Sequence, residues 1–258
     1  MAFPTTVYLS YGMEKVETSE QKQKLGTRGE TPDGRVFYYA QNSSAAITTA
    51  GMIVDGLATE GAHDMDVPPT AAHSVGDTTI SLEVPTTDLT ANEYADGYMI
   101  FNDGPGEGEV YRIKSHPAHD ASDDQTVIIT LEEPDGIRTA LTTATEVGLY
   151  RNPYNGVALV DGDAANFNTR STPLGVTTIP VTASYYCWLQ TAGISSVSVG
   201  AQVAVSGDAL TLSQESGESG QAERADFSDE SDLATIGVAM GIPSVSGDKQ
   251  VCMLHIRS

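Results

Sequence analysis

Short runs of β-branched and aromatic residues, each bounded by Gly, Pro, Asn or Asp, recur along this chain from Thr78 to Ile256. TTISLEV from Thr78, GYMIF from Gly97, EVYRI from Glu109, TVIITLE from Thr126 and EVGLY from Glu146 form a first series. GVALV from Gly156, GVTTIPVTA from Gly175, YYCWLQ from Tyr185, AQVAVS from Ala201, ALTLS from Ala209, ATIGVAM from Ala234 and QVCMLHI from Gln250 form a second. Side chains of this kind suit a pleated, half-buried surface, and the turn residues between them stop each run at strand length. Evenly spaced short strands point to antiparallel sandwich-like or barrel-like domains. The expected fold class is therefore all-β. No exact repeat is visible, so the chain is not a solenoid.

The spacing predicts three consecutive sections. Residues 1–70 read as an N-terminal arm, residues 71–152 as a first β-domain, and residues 153–258 as a second, opened by the turn cluster Arg151 to Gly156. The arm carries PDG, in which Pro32 pre-sets its φ and Gly34 accepts a positive one, so a hairpin is expected with its turn at Thr31 to Gly34. SSAAITTAGMIVDGL, from Ser43 to Leu57, has the Ala and Met content for one short helix. With few apolar residues of its own, the arm is expected to be ordered by packing on a neighbour.

Composition narrows the function classes. Asp and Glu number 35 against 13 Lys and Arg, a formal net charge of −22. Binding to phosphate backbones draws its affinity from clustered cations, so nucleic acid is not an expected partner. The acids concentrate between Asp208 and Asp232, a stretch that reads as a solvated loop, with partner docking or cation binding as its alternatives. The start MAFPTTVYL lacks a basic and apolar leader pattern, and no run approaches the ~18 apolar residues of a membrane helix. Neither secretion nor membrane attachment is expected.

Candidate chemistry is sparse. Cys187 and Cys252 stand in apolar strand-like runs and read as buried thiols, with a disulfide between them as the alternative. NDGPGEGEVYRI, from Asn102 to Ile113, is glycine-rich, yet it lacks the spacing and Lys-Ser/Thr of a phosphate loop and reads as a hairpin. HPAHDASDD offers His116 and His119 with three aspartates, a set that could ligate a metal or lie in a solvated loop. VDGDAANFN begins like a calcium loop at Asp161 and Asp163, but Ala165 and Phe167 replace oxygen ligands. No nucleophile, base or paired-carboxylate pattern appears, so no enzyme, cofactor or metal is expected. Alternation puts Tyr186 and Trp188 on the strand face opposite Cys187 and Leu189, which makes them candidates for a subunit interface.

LGTRGETPDGRVFYYAQN, then ADGYMIFNDGPGEGEVYRIKSH, then YYCWLQTAG with a closing GVAM and an alternating last strand, resembles virion structural proteins of tailed bacteriophages, especially marine ones. Within that group the pattern is most similar to head decoration, or cement, proteins. The resemblance implies a β-rich homotrimer on the capsid exterior that bridges copies of the major capsid protein and reinforces the shell. A tail or fibre component shares most of these features, and a carbohydrate-binding β-protein is a further alternative.

Overall fold

The computed structural model describes residues 6–57, 60–84, 87–122, 126–160, 172–202, 204–213, 215–226, 235–241, 245 and 247–257. The chain is nearly all β, with one large sheet and one of five strands. The strands are β1 (Thr6–Tyr8), β2 (Arg28–Glu30), β3 (Val36–Asn42), β4 (Ile53–Asp55), β5 (Thr79–Glu83), β6 (Tyr98–Asp103), β7 (Val110–Ser115) and β8 (Thr126–Leu131). They continue with β9 (Glu146–Tyr150), β10 (Asn155–Leu159), β11 (Gly175–Thr177), β12 (Tyr186–Ser198), β13 (Ala209–Leu212), β14 (Ala222–Arg224), β15 (Gly237–Ala239) and β16 (Lys249–His255). Helix among the described residues is limited to a 3-10 turn at Met13–Lys15 and one four-residue turn, α1 (Gly61–Asp64).

The chain divides differently from the three consecutive sections that spacing suggests. One compact unit joins residues 1–58 to 153–258, and residues 59–152 form the other, inserted between them. The reason lies in strand pairing. Residues of the expected arm supply β1 to β4, and β3 pairs with β12 from Tyr186↔Gln41 to Ala192↔Val36. Phe37, Tyr38, Tyr39 and Ala40 are buried there, so the segment expected to need a neighbour finds one in its own chain. The hairpin turning at Thr31 to Gly34 is present, with Arg28↔Tyr38 and Glu30↔Val36 in antiparallel register.

No helix forms over 43–57. Ile47 exchanges both backbone hydrogen bonds with Val181, at 2.9 and 2.8 Å. Ile53 and Val54, β-branched and fully buried, sit in a strand between β10 and β11. Burial on both sides outweighs the helix propensity of Ala and Met.

The sheet of the larger unit runs β1-β2-β3-β10-β4-β11-β12-β16-β15-β13-β14. Because β3 pairs with both β10 and β12, five of these strands pair in a closed circuit. Leu9, Phe37, Tyr39, Val157, Trp188 and Leu189 belong to one core cluster of this unit. Ile53, Val176, Val197, Leu210, Ile236 and Cys252 belong to a second.

The smaller unit orders its strands β5-β8-β7-β6-β9 around Ile80, Leu82, Met99, Phe101, Ile113 and Ile129. Its two sheet edges are linked by one segment, in which Val67 bridges Val147 of β9 and Pro69 bridges Leu82 of β5. The glycine-rich run after Asn102 is a hairpin loop, as expected: β6 pairs with β7, and Gly108 donates to the Phe101 carbonyl at 2.9 Å.

Candidate functional site

Trp188, His116, His119, Cys187 and Cys252, all singled out from sequence, are buried. Trp188 is only 6% exposed. It stands opposite Tyr39 in register, edge-on at 5.0 Å between ring centroids, while Tyr39 stacks on Tyr186 at 6.0 Å. The alternation that separates Tyr186 and Trp188 from Cys187 and Leu189 is real, but both faces of this part of β12 are covered. Cys187 and Leu189 are buried on the other side. A subunit-interface role for Trp188 therefore has no surface to act through, and Tyr186 is half-buried against its own chain.

His116 and His119 do not converge. The Tyr94 backbone N–H donates to His116 Nε2 at 3.0 Å, which leaves the proton on Nδ1, where it bonds the Pro117 carbonyl at 2.9 Å. Burial holds the His116 pKa below the usual range, against smaller upward contributions from that bond and from Glu93. His119 Nε2 instead meets the Val84 carbonyl at 3.0 Å. Both imidazoles tie loops of the smaller unit to the backbone. Among the described residues no group of His, Cys, Asp and Glu is placed to hold a metal ion. Asp161 and Asp163 lie outside the described residues. Cys187 and Cys252 are free, buried thiols, which excludes the disulfide between them.

Two surface features of the larger unit remain, and sequence reading assigned neither. The first is an apolar row across three strands. Val238 of β15 faces Met253 of β16, and Met253 faces Ile194 of β12, so the three side chains share one face. That face meets solvent: Ile194 is 54% and Met253 41% exposed, and Val251 extends the row along β16. Strict alternation in KQVCMLH is the cause. Gln250, Cys252 and Leu254 point into the core, which turns Val251 and Met253 outward.

The second is a cavity of about 410 Å³ beside this row, whose lining includes Lys15, Arg35, Thr178, Ser195 and Lys249. Its cations come from the 3-10 turn, the β2–β3 loop and the start of β16. Arg35 Nε donates to Asp33 at 2.9 Å and Nη2 donates to the buried Glu14 at 3.3 Å. The scarcity of Lys and Arg in so acidic a chain was the available signal; only folding shows that three of them meet. Compared with protein families, curated proteins and solved structures, the chain gives no match.

Proposed function

We propose that this chain is a non-enzymatic structural protein of a tailed-phage virion, seated as a homotrimer on the outer surface of the major capsid protein and reinforcing the shell. The observation that carries the reading is the outward row Val238, Met253 and Ile194 on an otherwise acidic chain. A contiguous apolar strip on the solvent side of a sheet gains free energy when a protein partner covers it. Central apolar contacts then supply most of the affinity. Self-association about a closed axis lets one such strip meet a symmetric shell repeatedly.

In this reading each unit is a barrel-like β module. The closed circuit of β3, β10, β4, β11 and β12 supports it in the larger unit, and the Val67 to Pro69 link between β9 and β5 supports it in the smaller. Such modules leave few free strand edges, which suits a protein displayed at high density. The balance of charge, −22, argues against a nucleic-acid partner. No described helix is long and apolar enough to cross a membrane.

The test replaces Met253 and Ile194 together with Glu. Sedimentation should show a trimer for the natural chain and a folded monomer for the variant, and the variant should lose occupancy on capsids in electron micrographs of particles. Unchanged occupancy would remove the row from the interface. Density confined to tails would assign the protein there, and absence from particles would end the virion reading.

A further inference from the structure

The cavity beside the apolar row differs from it in kind. The chain has 13 Lys and Arg against 35 Asp and Glu, yet Lys15, Arg35 and Lys249 line one space of about 410 Å³. Like charges gather at a cost unless something offsets their repulsion. For Arg35 the offset is present in Asp33 and Glu14. Lys15 and Lys249 have no ion pair among the described residues. Partial withdrawal from water also pushes the Lys249 ammonium below its usual pKa.

The donors left over define the chemistry. Two backbone amides beside the cavity are taken up by neighbouring strands: Gly51 donates to the Thr177 carbonyl at 2.7 Å and Thr177 to the Met52 carbonyl at 2.9 Å. The Thr178 hydroxyl is spent on the Glu14 carbonyl at 2.6 Å. What remains is two ammonium groups and the hydroxyl of Ser196, which shares the outward face with the apolar walls of Ile194 and Val251. Phosphate recognition favours convergent backbone N–H groups or a free guanidinium fork, whereas here the Arg35 guanidinium is engaged by Asp33 and Glu14 and apolar side chains flank the ammonium groups. Two ammonium point charges next to a methyl-bearing wall match a carboxylate on a short alkyl stem.

We propose that this cavity is a carboxylate-binding site, in which Lys15 and Lys249 neutralise the acid, Ser196 donates to it, and Ile194 and Val251 cover its stem. The carboxylate arrives either on a Glu side chain of a polypeptide or on a free dicarboxylate. The site stands whether or not the chain belongs to a virion.

Calorimetric titration of the full chain at low salt tests it with three probes: glutarate, an end-capped tetraglutamate peptide and inorganic phosphate. Saturable binding of glutarate, the peptide or both is expected, with phosphate weaker by about tenfold or more. Each of Lys249→Gln and Lys15→Gln should weaken the carboxylate probe about tenfold, the loss of one charge-assisted hydrogen bond. Their combination should abolish binding, while Lys114→Gln in the smaller unit should change nothing. Binding of the peptide alone identifies a polypeptide source; binding of glutarate at equal strength identifies a small molecule. The proposal is overturned by carboxylate probes that do not saturate, by phosphate binding equally well, or by unchanged affinity in the double variant with its circular dichroism intact.

Discussion

A Cβ on Gly29 would come within 2.8 Å of Trp188 Cζ3, so the bare backbone of β2 is what makes room for the indole that closes the aromatic layer. The same atom would also meet Leu9 Cδ1 at 2.8 Å. Gly29→Ala should cost about 1–3 kcal/mol by overpacking, and Trp188→Ala about 3–5 kcal/mol by leaving a cavity. Urea unfolding measures both. Combining Gly29→Ala with Trp188→Phe should recover part of the loss, because the smaller ring vacates the contested space. Additive losses would show that the two positions do not compete.

Local pattern carried the fold class and failed on connectivity, and both outcomes have physical causes. The strands and the turn at Thr31 to Gly34 are written in periods and φ preferences that act over a few residues. The pairing of β3 with β12 is not, since Val36 meets Ala192 across a separation that leaves no local mark. The segment 43–57 misled because Ala and Met favour helix only where packing does not decide; Ile53 and Val54, buried from both sides, decide it otherwise. Trp188 misled for a related reason. Alternation fixes which face a side chain takes, but not whether that face is covered. The cavity was the least legible feature, because Lys15, Arg35 and Lys249 share nothing in sequence except rarity.

Burial pushes the thiols of Cys187 and Cys252 from 9.0 up to about 12. The folded chain thus holds both protons where the unfolded chain begins to release them. Their contribution to stability is complete below pH ~9 and declines as pH rises toward 12, by up to ~1.4 kcal/mol per pH unit for each thiol. Disulfide-exchange reagents at pH 8 should label neither residue until urea unfolds the protein. A Cys187→Ala, Cys252→Ala chain should lose stability less steeply between pH 9 and 11 than the natural one. Equal slopes would deny the thiols any part in alkaline unfolding.

In the smaller unit, Glu93 accepts from Arg151, which also lies 5.7 Å from the centroid of the buried Tyr94 ring. Burial raises the Glu93 pKa, but the Arg151 bond and the Thr90 backbone N–H together outweigh it and leave the carboxyl below 4.5. A lowered carboxylate stabilises the fold above its unfolded pKa and loses that contribution as pH falls through the folded value. Arg151→Met should therefore cost about 1–3 kcal/mol at pH 7 and progressively less below pH ~4. A penalty that stays constant down to pH 2 would place the role of Arg151 in packing on Tyr94 and not in the ion pair.

The interrupted order of the larger unit gives the most demanding test of the fold. Gly56 and Pro153 flank the insertion and lie side by side, since a Cβ on Gly56 would reach the Pro153 carbonyl at 2.8 Å. Just inside them, Asp55 of β4 pairs with Ala158 of β10. The two ends of the larger unit are thus already joined by its own sheet, and closing them with a few glycines adds little loop entropy. Each unit also has its own buried core. Residues 59–152 alone, and the chain with those residues replaced by a short Gly-Ser link, should each fold and unfold cooperatively in urea with native near-ultraviolet circular dichroism. By contrast, deleting residues 2–40 removes β1, β2 and most of β3, and should unfold the larger unit outright while the smaller keeps its transition. A deletion chain that retained both transitions would return residues 2–40 to the status of an arm.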